Sequence, residues 1–138
     1  MVVTLDELRQ RHRGAETFTF GDSDELCRDL LALVRAGKKT ATCGALREFE
    51  AGGEPLPKTG RRDIALNWDG TPALVIETIE VTFRRFSEVN EAFALDEGEN
   101  DSLAGWQSAH RRYLERNGGW SEDMELVCER FRLVEDLG

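Results

Sequence analysis

Apolar and polar positions follow two rhythms along this chain, and the switches between them mark out the elements. Leu26, Leu30, Leu33 and Val34 recur at helical spacing, which predicts an amphipathic helix packed along one face. Asp22 is its expected N-cap, with Glu25 three residues on, and Gly37 sits where a terminating glycine belongs. Upstream, Thr4-Leu5-Asp6-Glu7 reads as a capping box that opens a short helix running to Arg11. Phe18-Thr19-Phe20 reads as a brief extended stretch. Its aromatics are expected to pack on the main helix, because phenylalanine has no polar handle to orient a ligand. After that helix, residues 44–50 are expected to make one or two helical turns, 51–57 a loop, and Lys58-Thr59-Gly60 a turn.

From Ile64 the period drops to two. Ile64, Leu66 and Trp68 alternate with Ala65 and Asn67, and Asp69-Gly70 is a hairpin signal. The returning strand is long, with Leu74 and Ile76 on one parity and Val75, Ile79, Val81 and Phe83 on the other. Glu77 interrupts the apolar parity, so a bend or bulge is expected. A polar stretch from Ser87 to Ala94 holds one short helix. Asp101 or Ser102 then caps a helix whose apolar line is Leu103, Trp106, His110, Tyr113 and Leu114, closed by Gly118-Gly119. On that line Trp106 is expected in the core, although Trp106, Trp68 or Phe20 are also candidates to stack on a base. Glu125 to Val134 alternates again, with Val127, Phe131 and Leu133 on one parity, as a closing strand. Strands and helices that do not alternate regularly predict an α+β fold with a mainly antiparallel sheet. With few strands, one of them long, a small curved barrel is an expected form. There is no internal repeat or low-complexity linker, and 138 residues are most simply one domain, 1–138.

Composition narrows the picture. A chain 40% hydrophobic and 33% charged has the balance of a globular protein. No apolar run reaches membrane-spanning length and the first ten residues are not a signal peptide, so a cytoplasmic location with no membrane partner is expected. The three cysteines, Cys27, Cys43 and Cys128, are scattered without zinc spacing, which predicts reduced thiols. His12 and His110 lie far apart with no metal motif around them. No metal and no cofactor are therefore expected. The net charge of -9 opposes a polyanion and favours a nucleoside-sized ligand over a long duplex.

Two segments carry candidate chemistry. Gly37-Lys38-Lys39-Thr40-Ala41-Thr42 places two lysines and two threonines at the exit of the patterned helix. In an extended segment Lys39 shares a side with Ala41 and Thr40 faces away, while a turn would bring Lys39 and Thr42 together. The plain alternative is a solvated lysine pair serving the helix dipole. The second segment, Asp96-Glu97-Gly98-Glu99-Asn100-Asp101-Ser102, holds four carboxylates in six residues. Either it is a solvated acidic loop that caps a helix, or it supplies a general acid and base. Glu97 and Glu99 are two apart and point the same way in an extended loop, and such a pair can divide the two roles.

These segments, with Phe20-Gly21-Asp22, Glu48-Phe49-Glu50, Phe93-Ala94, Leu103, Trp106 and Val127-Cys128-Glu129-Arg130-Phe131, resemble the ASCH domain family over residues 18–135. One departure is Asn100, where longer members usually carry a glycine. The resemblance implies a PUA-like small β-barrel of mainly antiparallel strands flanked by helices, with a cleft where the lysine motif meets the acidic loop. It implies an association with RNA. Some members are similar to amidohydrolases that remove the acetyl group of N4-acetylcytidine with a lysine, a threonine and a glutamate and no metal. By motif these are Lys39, Thr42 and Glu99, with Lys38, Glu97, Asp101 and Ser102 as neighbouring substrate contacts.

The chemistry agrees on general grounds. Amide hydrolysis needs a nucleophile, an oxyanion stabiliser and a proton donor for the leaving amine. Thr42 can offer its hydroxyl or orient a water. Lys39 is a base if neutral and an oxyanion partner if charged. Glu99 can protonate the departing N4. The partner is then a modified nucleoside or a short RNA. A ribonuclease would need a basic groove, for which Arg47, Lys58, Arg61 and Arg62 are candidates if they gather on one face. A non-catalytic RNA-binding or regulatory domain would use the lysine only on phosphate.

Overall fold

The computed structural model describes residues 3–51 and 53–138. Met1, Val2 and Gly52, the last within the loop expected at 51–57, lie outside them. The elements follow in the order α1 (Leu5–Arg11), β1 (Glu16–Phe18), α2 (Asp24–Arg35), β2 (Ala41–Ala45), α3 (Leu46–Glu50), β3 (Arg62–Leu66), β4 (Pro72–Arg85), α4 (Glu91–Asp96), α5 (Leu103–Arg116) and β5 (Glu125–Asp136). A single 3-10 turn, Phe86–Glu88, joins β4 to α4.

Caps fix where the helices start. Thr4 accepts from the Glu7 amide at the head of α1, and Ser102 accepts from the Gly105 amide at the head of α5. For α2 the cap is Ser23, whose hydroxyl accepts from the Leu26 amide, and not Asp22. Asp22 instead holds Arg116 at 2.7 Å and Asn117 at 2.9 Å, tying the start of α2 to the end of α5. Gly44 and Ala45, expected in a helical turn, extend β2, because their backbones pair with Val127 and Leu126 of β5.

The sheet order is β1-β3-β4-β5-β2. Its pairs are antiparallel except for β1 with β3, which run parallel. The β3–β4 hairpin turns at Asp69, whose carboxylate accepts from the Thr71 amide at 3.0 Å. The long strand β4 bulges twice against β5, between Val75 and Ile76 and between Thr78 and Glu80. Bulges bend a strand and re-aim its side chains. Ala73, Leu74, Val75 and Ile76 are consequently all buried, while Ile79 and Phe83 further along stand 49% and 56% exposed. The two edge strands β1 and β2 line one cavity, so the sheet curls toward itself as a half-barrel.

Three apolar clusters hold the helices to this sheet. Cys27, Leu30, Leu31 and Val34 of α2 pack on Leu74, Ile76 and Phe131. Trp106 and Leu114 of α5, with Phe86 and Phe93, pack on Ala41, Ala45 and Leu126. Leu8 of α1 packs on Ile64 and Val75. Burying a side chain such as Leu31 stabilises the fold by about 2 kcal/mol. Trp68 lies past the end of β3, half exposed, in a separate cleft beside α2.

Candidate functional site

The site begins at the end of α2. The Gly37 amide donates to Val34 O and the Lys38 amide to Leu33 O, each at 3.0 Å, with Gly37 at φ +74°. That pattern is a Schellman motif, which needs a left-handed residue and finds it in glycine. The chain leaves it extended, with Lys38 and Thr40 exposed and Lys39 turned inward to 1% exposure. The Lys39 ammonium donates to Ala41 O at 2.8 Å, to Glu99 Oε2 at 2.9 Å and to Glu97 Oε1 at 3.3 Å.

Gly98 makes that meeting possible. It sits at φ +76°, and a Cβ there would fall 2.4 Å from Lys38 O. The acidic loop therefore lies directly on the Lys38-Lys39 backbone, fixed also by the Thr40 amide donating to Asp96 O at 2.8 Å. Glu97, also 1% exposed, is held from two further sides. The Trp106 indole donates to Oε2 at 2.8 Å, and His110 Nε2 lies 3.4 Å from Oε1. His110 Nδ1 is 3.0 Å from Trp106 O. A carbonyl can only accept, so Nδ1 carries the proton and Nε2 faces Glu97.

These contacts set the charges. Burial favours neutral Lys39, but the Glu97 and Glu99 carboxylates outweigh it and raise its pKa. Lys39 is thus an ammonium and not a free base. Burial likewise opposes charge on Glu97, yet Lys39, His110 and Trp106 bring its carboxyl down to about 2. His110 is pushed down by burial and raised more by Glu97. The Cys43 thiol, pushed up by burial and by Glu97, is held protonated. Glu99 is different: its carboxylate is bonded to Lys39 and reaches the cavity with a fifth of its side chain exposed.

Two adjoining cavities meet at Phe20, Gly21, Thr42, Cys43 and Tyr113. The smaller, about 260 Å³, is lined by Lys39, Thr42, Glu97, Glu99 and His110, with Arg112 at its exposed mouth. The larger, about 470 Å³, is lined by Glu16, Glu48, Glu54, Asp63 and Glu129, against Arg61, the one cation among the described residues that line it. Arg61 is spent on Asp63 at 2.9 Å. Burial raises the pKa of Glu129 and of Glu48, the latter helped by Glu54.

The structure thus gathers Lys39, Thr42, Glu97 and Glu99 in one cavity. Lys38 and Asp101 are exposed and line neither cavity, and Ser102 serves as the α5 cap. Of the four cations suggested for a groove, Arg61 lines the larger cavity, while Arg47, Lys58 and Arg62 line neither. Arg47 donates to Asn117 O and Gly119 O, Arg61 pairs with Asp63, and Arg62 pairs with Glu77 at 3.0 Å. His110, Tyr113 and Cys43 line the smaller cavity without having been singled out as site residues. The signal for the first two was polar groups placed on the apolar line of α5. Trp106 is core, wholly buried, and at the same time a hydrogen-bond donor to the site. Phe20 packs on Phe131 while lining both cavities.

The sequence model of the ASCH domain matches residues 16–135. The chain belongs to the ASCH domain family. That family is linked to RNA binding. An ASCH domain structure from Lactobacillus crispatus JV V101 is similar, at 31% identity and TM-score 0.81, over 95% of this chain and 86% of that one. Protein EF3133 from Enterococcus faecalis V583 is similar at 33% identity and TM-score 0.81, over 96% of this chain and 85% of that one. No curated protein matches the sequence. The α+β half-barrel with its flanking helices is thereby the PUA-like ASCH fold. Among the described residues of this ASCH chain, no helix is long and apolar enough to cross a membrane.

Proposed function

We propose that this ASCH protein hydrolyses the amide of an N4-acylated cytidine nucleoside, with Lys39, Thr42 and Glu99 acting on the substrate. The observation that carries the reading is the buried Lys39 ammonium, bonded to Glu97 and Glu99 in the wall of a cavity that Thr42 also lines. A buried ammonium at a cavity wall is a preorganised partner for the oxygen charge that develops as an amide carbonyl is attacked. Held charged, Lys39 takes the electrophilic role. The proton traffic then falls to Glu99, the carboxylate that reaches the cavity. Glu99 accepts the proton of the Thr42 hydroxyl, or of a water that Thr42 orients, as the new C–O bond forms. It returns that proton to N4 as the C–N bond breaks. With water as the nucleophile this releases the carboxylic acid directly; with Thr42 it leaves an acyl ester on Oγ, which a water deprotonated by Glu99 then cleaves as the proton returns to Thr42. Either way the products are a carboxylic acid and the free cytosine amine, with one water consumed. Glu97 stays ionised throughout, as the fixed counter-charge of Lys39.

The alternative of a ribonuclease or an RNA-binding module draws on the family's link to RNA. Both need cations that face a phosphate backbone, and Arg47, Arg61 and Arg62 are each engaged by carbonyls or carboxylates. A chromatographic assay with N4-acetylcytidine tests the proposal. Wild-type protein is expected to release cytidine, while Lys39→Ala and Glu99→Gln are expected to lose turnover and retain the far-UV spectrum. No release across a range of nucleoside concentrations, or full rate in both variants, overturns it. Salt-sensitive binding or cleavage of short single-stranded RNA would then support the alternative.

A further inference from the structure

Cys43 lies on the rigid pair of β2 with β5, opposite Cys128. It faces the same cavity as Glu97 and His110. The Cys43 sulfur, a Glu97 carboxylate oxygen and a ring nitrogen of His110 all lie within 4.8 Å of one another. The hydrolytic proposal uses none of the three on the substrate. We propose that Cys43, Glu97 and His110 form a binding site for a thiophilic divalent cation of the zinc class, with a fourth position open to the cavity.

Three features support a built site. The first is ligand type: one thiol, one imidazole and one carboxylate are a donor set for zinc, cobalt or cadmium, whereas magnesium and calcium prefer oxygen alone. Zinc bonds of about 2.0 to 2.3 Å set tetrahedral ligands about 3.5 Å apart, so a contraction of about 1 Å closes the set. The second is orientation. A metal-binding histidine commonly donates its other ring N–H to a backbone carbonyl. His110 Nδ1 does so to Trp106 O at 3.0 Å, which leaves Nε2 for the ion. The Trp106 indole holds Glu97 Oε2 in the same way. The third is the tolerance of Lys39. Its bond to Glu97 Oε1 is its longer carboxylate contact, 3.3 Å, and it keeps Glu99 and Ala41 O at 2.9 and 2.8 Å if the ion takes that oxygen. Binding releases the Cys43 thiol proton to solvent, and the Nε2 proton where His110 carries one. The incoming charge is offset accordingly.

The test is a titration of the full chain with cadmium alone, followed by the ultraviolet charge-transfer absorption of a cadmium–thiolate bond. One equivalent is expected to saturate the band. Cys43→Ser should abolish it, His110→Ala should weaken the affinity by at least about 10-fold, and Cys27→Ser should leave both unchanged. Excess magnesium should not compete. Absence of the band overturns the proposal, as does a band that survives in Cys43→Ser or displacement by magnesium. If Cys43→Ser fails to fold, His110→Ala decides alone, and undiminished affinity in that variant is the refuting result. The readout is metal binding, so the outcome stands apart from whether N4-acetylcytidine is hydrolysed.

Discussion

Glu97→Gln removes the charge at the centre of the site while keeping its size and its acceptor for the Trp106 indole. In the wild type, burial alone would raise the Glu97 carboxyl, yet Lys39, His110 and Trp106 bring it from 4.5 to about 2. A drop of roughly two and a half units at about 1.36 kcal/mol each corresponds to about 3 kcal/mol of folding stability. Its size matches the loss of about 3–5 kcal/mol expected when one partner of a buried ion pair is removed. Because the folded pKa is the lower one, this stabilisation is complete above the unfolded value and is lost as pH falls through the folded one. The variant should thus be less stable than wild type by about 3 kcal/mol near neutral pH, and by only about 1 kcal/mol near pH 3. Urea unfolding followed by tryptophan fluorescence at the two pH values measures both gaps. An equal gap at both, or one under about 1 kcal/mol at neutral pH, would refute the assignment of Glu97 as the ionised partner of Lys39.

Gly98→Ala must place a Cβ on Lys38 O at φ +76°, so thermal unfolding should show a loss of more than about 2 kcal/mol; a smaller loss means the loop does not press on Lys39. The raised pKa of His110 stabilises the fold below its unfolded value of 6.5 and is lost as pH rises through the folded one. Wild type should accordingly lose stability in denaturant as pH rises above about 6.5, and His110→Phe should show a flatter profile. Ser23→Ala should cost about 1 kcal/mol by loss of the α2 cap, whereas Asp22→Ala should loosen the end of α5 and leave α2 helicity in circular dichroism unchanged.

The parts of the fold governed by local pattern were legible in the sequence. The capped start of α1, the glycine exit of α2, the Asp69-Gly70 hairpin and the closing strand β5 each rest on residues close together in the chain. Parity put Lys39 on the side of Ala41 but left open whether it is solvated; its burial rests on Glu97 and Glu99 of the distant acidic loop. What pattern could not supply was long-range partnership. Asp22 and Ser23 are both good caps, and the choice was settled by Arg116 and Asn117, which claim Asp22 from the far end of α5. The exposure of Ile79 and Phe83 depends on where β4 bulges against β5, a matter of register between distant strands. A solvated acidic loop was as good a reading as a functional one until Glu97 was seen buried on Lys39. Asn100 is tolerated in place of glycine because the backbone is left-handed at Gly98 and at no non-glycine residue among those described.

Charge placement bears on which kind of ligand such a site accepts. The larger cavity presents Glu16, Glu48, Glu54 and Glu129 around a space that leads to Lys39 through Thr42. A phosphate brought within about 6 Å of one such carboxylate meets about 3 kcal/mol of repulsion at an effective dielectric of about 20. Ribose hydroxyls meet the opposite situation, because they donate and these carboxylates accept. Arg112 stands at the exposed mouth of the smaller cavity and Arg116, paired with Asp22, also lines it, both outside this acidic wall. Under the proposed function, an RNA substrate would keep its phosphates outside the acidic wall and present an unstacked base, the form in which single-stranded RNA is usually read. A free nucleoside has no phosphate to exclude and can use both cavities. Under the proposed function, a neutral nucleoside suits this acidic cleft better than a phosphate-bearing strand, because the same carboxylates that repel phosphate accept from ribose hydroxyls.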